Sequence, residues 1–300
     1  MSDSVAKSAS SPSKRRVFFQ RLTSTVILWT VTTSALFAPS ETLRLGAFLL
    51  VMMVLGLVTA WEISGLVEGA GDSCHRALAL LFTALLIGGG FVLFTQVPNG
   101  GGMVAEFELF SLIVAFLVLL TESVRRFNGP ASRIVGPTLL VILYSGVMIN
   151  FLQRIYFFEQ GKGAFYLLFF IVATKFSDAG AYAVGSLLGR HKMCPQVSPG
   201  KTWEGFVGAI VASILLGVGI WSLGSDQMPG FSLDDAIVVS GLLGASAVLG
   251  DLVESVIKRK AGAKDSGRFF PGIGGMYDLM DSLLFNAPIM YFYLRYVIAN

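Results

Sequence analysis

The stretch from Gly250 to Pro288 holds the residues best suited to chemistry. It carries five carboxylates and five Lys or Arg between two apolar segments. Asp251, Glu254 and Ser255 fall at i, i+3 and i+4, so on a helix they share one face. Asp278 and Asp281 repeat the i, i+3 spacing. Between the two acidic groups runs a glycine-containing connector with Lys258, Arg259, Lys260, Lys264, Asp265 and Arg268. Carboxylate oxygens suit a hard cation, and Lys and Arg suit phosphate, so the pattern points to Mg²⁺-assisted phosphate chemistry.

A second polar stretch, Thr174 to Gly205, reads TKFSDAGAYAVGSLLGRHKMCPQVSPGKTWEG. Lys175 and Asp178 lie within an otherwise apolar segment, where an unpaired charge costs several kcal/mol on insertion scales. They read as an i, i+3 ion pair that either fixes packing or faces a functional cavity. The small residues of Asp178-Ala-Gly-Ala-Tyr182 admit another backbone or a ligand. Ser198-Pro-Gly-Lys-Thr-Trp-Glu-Gly205 lacks the glycine five positions before Gly200 that a Walker A loop needs, since position 195 is Pro. Ser198, Lys201 and Thr202 still precede a helix start, with Thr202 as its cap and Glu204 in its first turn.

The elements that must position these groups are membrane spans. The chain of 300 residues is 54% hydrophobic and only 14% charged, against about 25% charged in soluble domains. Continuous apolar runs near the length of a bilayer crossing recur throughout, which indicates an all-α, polytopic integral membrane protein and argues against a β-barrel. Nine spans are expected, at 22–39, 43–61, 77–95, 104–121, 134–152, 164–188, 205–223, 236–252 and 282–298. The first reads as uncleaved, since no A-x-A site follows it. With the N-terminus in the cytoplasm, alternation places seventeen of the 22 Lys and Arg on the cytoplasmic side. Arg44, Arg154, Lys162 and Arg295 fall outside, and Lys175 lies within a span. The positive-inside bias supports that orientation. Three regions follow: a cytoplasmic basic tail at 1–21, whose Ser-rich residues 1–16 read as disordered, an N-terminal transmembrane region at 22–160, and a chemistry-bearing transmembrane region at 161–300. The first 160 residues show no charge constellation. Glu62, Glu68 and Asp72 read as a solvated helix end. Cys74 and Cys194 read as free thiols, His75 and His191 as surface residues, and the absence of Cys/His clusters speaks against zinc.

Taken together, Ser255-Val-Ile-Lys258-Arg259, Lys264-Asp265 and Gly274-Gly275-Met-Tyr-Asp278-Leu-Met-Asp281 resemble the C-terminal signature of the phosphatidate cytidylyltransferase family. Gly250-Asp251-Leu-Val-Glu254, Asp178-Ala-Gly-Ala-Tyr182 and Ser198–Gly205 fit it as well. The resemblance covers about 174–290. Two positions depart from the pattern: Ile273, where a His is frequent, and Leu279, where an Arg is frequent. The resemblance implies a nucleotidyltransferase that converts CTP and phosphatidate to CDP-diacylglycerol and diphosphate, with residues 161–300 holding the substrates. It implies Asp251, Asp278 and Asp281 as metal ligands. Lys258 and Lys264 join them as catalytic residues, and Lys201, Arg259 and Arg268 as phosphate binders. Asp178, Ser198, Ser255 and Asp265 are further substrate-binding candidates. Phe269, Phe270 and Pro271 would set the loop at the bilayer surface. The implied cofactor is Mg²⁺, alone or with a second cation. The implied partners are CTP, phosphatidate, the lipid bilayer and a second copy of the chain, with no nucleic acid. The implied location is the cell membrane, with the site facing the cytoplasm. A CTP-dependent polyprenol or phytol kinase-like enzyme is the alternative, and a membrane transporter a more distant one.

Overall fold

The computed structural model describes residues 14–98, 100–125, 133–158, 163–267, 269–270 and 274–299, with side chains from residue 23 onward except Thr25. Nine helices appear among them, one for each expected span: α1 (Lys14–Phe37), α2 (Glu41–Gly69), α3 (Arg76–Gln96), α4 (Val104–Arg125), α5 (Val135–Tyr156), α6 (Ala164–Leu188), α7 (Trp203–Gly224), α8 (Leu233–Lys260) and α9 (Met276–Tyr293). Helix α5 contains a π turn at Leu143–Val147, and a second π turn, Leu294–Ile298, extends α9. Seven helices, α2 to α8, are long and apolar enough to cross a membrane. α1 begins at Lys14, eight residues before its expected span, so the basic residues 14–21 extend that helix; the tail before it lies outside the described residues.

Two helices overrun their apolar runs in a way that matters for the site. α8 continues past its expected end at 252 to Lys260, and at 1.5 Å per residue this adds about 12 Å of charged helix. α9 begins at Met276, six residues before its apolar run, and so carries Asp278 and Asp281 in its first turns. One addition departs from an all-helical architecture. β1 (Lys192–Cys194) and β2 (Ser198–Thr202) form an antiparallel hairpin between α6 and α7, with Lys192 opposite Thr202 and Cys194 opposite Ser198. Thr202 then caps α7, its Oγ1 accepting from Gly205 N at 3.1 Å.

Helices α6 and α7 pack most extensively. A Cβ at Gly180 would meet the backbone carbonyl of Gly208, and a Cβ at Gly205 would lie 2.9 Å from the Ala181 carbonyl oxygen. The small residues after Asp178 therefore admit another backbone, one of the two readings left open above. Buried hydroxyls and amides tie the rest of this half together. Ser213 Oγ lies 2.8 Å from Ala173 O and 2.6 Å from Ser240 O, linking α7 to α6 and α8. Asn286 Nδ2 donates to Leu243 O at 2.8 Å and to Thr174 Oγ1 at 3.2 Å, fixing α9 against both. Such bonds matter because an unpaired polar group in an apolar interior costs several kcal/mol.

The N-terminal half contains a charge constellation after all. Arg154 Nη2 lies 2.7 Å from Glu108 Oε2, with both side chains buried. Asn150 Nδ2 donates to Glu108 Oε1 at 3.0 Å, and Gln153 Nε2 donates to Asn150 Oδ1 at 3.0 Å. Arg154 is thus a core residue rather than part of an outside loop. Its partner lies 46 residues away, a separation that single-sequence spacing does not reveal.

Candidate active site

Alternating helices bring the ends of α2, α6 and α8 and the starts of α7 and α9 to one end of the bundle. There Asp178 of α6, Asp251 of α8 and Asp281 of α9 face one another. Asp251 interacts directly with both of the others. Gly250 permits this approach, since a Cβ there would sit 3.0 Å from Phe285 Cβ and 3.2 Å from Ser282 Cα. Two lysines answer the three carboxylates. Lys201, at the end of β2, reaches Asp251 Oδ2 at 3.2 Å and donates to Val248 O at 3.0 Å. Lys175 lies 3.6 Å from Asp281 Oδ1 and donates to Ser282 Oγ at 2.9 Å. Its ion pair thus crosses to α9, instead of forming within α6 to Asp178 as the i, i+3 spacing suggests.

A second charged group lies beside the first. Lys258 is 2.6 Å from Glu254 Oε1, one turn back on α8, and 3.1 Å from Asp278 Oδ1. Asp278 also accepts from Ser266 N at 3.1 Å and Gly275 N at 2.8 Å. Its carboxylate therefore holds the connector as well as Lys258. Ser255 and Ser198 are half-buried, whereas Arg259, Lys264 and Asp265 are exposed on the connector side. Arg268 and Pro271 lie outside the described residues.

The donor set of Asp178, Asp251 and Asp281 fits a hard cation, since it supplies anionic oxygens and no soft ligand. Among the described residues, no three Asp, Glu, His or Cys side chains already stand as a ligating cluster. Lysine ammonium groups balance the carboxylates instead.

An apolar cavity of about 490 Å³ lies next to this cluster, lined from α1, α2, α5, α6, α9 and Phe269–Phe270. Among the described residues its lining holds one charged group, Lys175, and one hydroxyl, Thr32. A single lysine thus faces the cavity on one side and Asp281 on the other.

The sequence matches the model of the cytidylyltransferase family over residues 19–297. The chain belongs to that family. Among its curated relatives is the phosphatidate cytidylyltransferase of Staphylococcus haemolyticus, 30% identical, over 83% of this chain and 88% of the relative. The protein of the same name from Staphylococcus saprophyticus is 33% identical over 67% of this chain and 75% of its own length. The Bacillus subtilis one is 37% identical over 61% and 66%.

Within this cytidylyltransferase-family chain, Leu279 has a clear environment. It lines the apolar cavity and packs on the core, so a leucine there completes an apolar wall. Ile273 lies outside the described residues. Glu62 corrects the expectation of a solvated helix end, for it is 8% exposed and accepts from Tyr277 N at 2.8 Å and Ser266 Oγ at 2.9 Å. Glu68 and Asp72 are exposed, with Glu68 paired to Arg76. Ser266 has no signal in the sequence, because a lone serine in a glycine-containing connector carries no spacing pattern. His191 is exposed and pairs with Glu204 through Nδ1 at 2.6 Å, while His75 accepts from Leu78 N at the start of α3. Both cysteines are free.

Proposed function

We propose that this protein is a phosphatidate cytidylyltransferase that converts CTP and phosphatidate to CDP-diacylglycerol and diphosphate. The observation that carries the reading is the meeting of a carboxylate–lysine cluster with the wall of an apolar cavity. One side suits a nucleotide's phosphates, and the other suits an acyl chain. The names of the family relatives agree with it.

The chemistry follows from charge. A phosphate oxygen of phosphatidate attacks the α-phosphorus of CTP. A P–O bond forms there, the bond to the β-phosphate oxygen breaks, and diphosphate leaves with the electron pair. The attacking oxygen is already anionic, so no strong general base is required. The barrier lies in anion–anion repulsion and in the charge that builds on the leaving group. Lys201, Lys258, Arg259 and Lys264 hold the CTP phosphates, with Arg268 and Ser255 beside them. Asp178, Ser198 and Asp265 border the substrates. Mg²⁺, with or without a second cation, would be held by Asp251 and Asp281 with Asp178 beside them, while Asp278, the third ligand that the resemblance implies, holds Lys258 and the connector. When bound, it supplies Lewis-acid neutralisation of phosphate charge. Lys175 meets the phosphatidate headgroup at the cavity wall. Phe269 and Phe270 lie where a lipid would enter sideways from the bilayer.

The site faces the cytoplasm of the cell membrane in this reading, because the cationic helix ends and connectors gather at its end of the bundle. The resemblance implies a homodimer. The deciding experiment is turnover in detergent with phosphatidate and labelled CTP and Mg²⁺, with and without EDTA. Label from the α-phosphate should appear in CDP-diacylglycerol only without chelator. Transfer of the γ-phosphate onto a lipid would instead identify a kinase, and no turnover from folded protein would sink the enzymatic reading.

A further inference from the structure

The helix that carries Asp278 and Asp281 supplies only half a cap of its own, the Asp278 carboxylate that accepts from Gly275 N. α9 begins after Gly275, which offers no side chain, while its first-turn N–H groups are buried and need acceptors. The acceptors come from elsewhere in the chain. Glu62 Oε2, on α2, accepts from Tyr277 N at 2.8 Å. Ser266 Oγ, on the connector, accepts from Asp278 N at 3.3 Å and donates to the same Glu62 oxygen at 2.9 Å. Asp278 closes the ring by accepting from Ser266 N at 3.1 Å and Gly275 N at 2.8 Å. The glycines of the connector make room, since a Cβ at either Gly267 or Gly275 would collide with the Glu62 carboxylate.

We propose that Glu62 is a positioning residue, which caps α9 from the N-terminal half of the chain and holds the cationic connector against it. A carboxylate at a helix N-terminus is favoured by both hydrogen bonding and the helix dipole. Through this one side chain, a half of the molecule with no residue in the reaction sets where Asp278 and Asp281 point. The inference rests on the cytidylyl-transfer reading for its kinetic consequence, but the cap itself is independent of it.

Glu62→Leu, Glu62→Gln and Ser266→Ala test it together. Turnover per folded molecule, measured after gel filtration, should fall about tenfold in Glu62→Leu. It should recover most of that loss in Glu62→Gln, because a single amide oxygen can accept both bonds. Ser266→Ala added to Glu62→Leu should cause little further loss, since the two act as one unit. In hydrogen–deuterium exchange, the amides of Tyr277 and Asp278 should exchange faster in Glu62→Leu and in Ser266→Ala. A merely structural role would lower the yield of folded Glu62→Leu and leave its turnover per folded molecule at the wild-type value, which would overturn the proposal. If Glu62→Leu does not fold, unchanged exchange at Asp278 in Ser266→Ala would do the same, since Ser266 Oγ is the acceptor for Asp278 N. A wild-type protein that fails to turn over phosphatidate and CTP would sink the functional reading alone, and the exchange data would still decide the cap.

Discussion

Removing the ammonium of Lys258 should separate its structural and chemical duties. The lysine is 14% exposed and stands between Glu254 and Asp278, whose side chains are 7% and 10% exposed. Lys258→Met would leave two buried carboxylates facing each other with no cation between them. Breaking a buried ion pair costs about 3–5 kcal/mol. The low end, about 3 kcal/mol, is expected here because Asp278 keeps the N–H groups of Ser266 and Gly275. Glu254 is the group left stranded. Replacing it as well, in Glu254→Gln/Lys258→Met, removes the uncompensated charge and should return about 2 kcal/mol of the loss as a coupling energy. Activity should not return with it, because the proposed site has still lost a cation for CTP phosphate. Both variants should turn over about 100-fold more slowly than wild type. Stability would be read from unfolding of the detergent-solubilised protein, and activity from CDP-diacylglycerol formation per folded molecule. If Lys258→Met unfolds like wild type, the lysine does not bridge these carboxylates. If the double variant regains activity, Lys258 serves only to neutralise Glu254, and its place among the phosphate binders is wrong.

Asp281→Asn should stay folded in the membrane and lose about 100-fold or more in turnover; a variant with most of its activity would take Asp281 out of the metal set. Lys175→Met should raise the KM for phosphatidate about tenfold while leaving that for CTP nearly unchanged, as befits the one cation lining the apolar cavity among the described residues. Equal shifts in both constants would argue that it only braces Asp281. Arg154→Met removes the buried partner of Glu108 and should cost about 3–5 kcal/mol of stability, with turnover per folded molecule unaltered. A fall in turnover at unchanged stability would show that this far network reaches the site.

The sequence by itself was enough for the nine helices, because bilayer crossings demand continuous apolar runs and these survive in any single chain. It was also enough for the chemical character of the site. Asp251, Lys258, Asp278 and Asp281 stand out because charges beside apolar spans are costly, and their local i, i+3 and i+4 spacings fix which of them share a helix face. Thr202 as the cap of α7 was legible for the same local reason. Partner choice was not. The spacing of Lys175 and Asp178 suggests a pair within α6, yet Lys175 reaches Asp281, 106 positions away, because α9 packs where α6 presents its lysine. Asp278 and Asp281 look alike in the sequence, and only the tertiary structure sets one into the connector and the other against Asp251. Glu62 reads as a solvated helix end until Gly267 and Gly275 fold over it. Arg154 reads as a loop cation until Glu108 arrives from α4. In each case the deciding term is burial against an element distant in sequence, and hydrophobic pattern carries no record of which helix will be the neighbour.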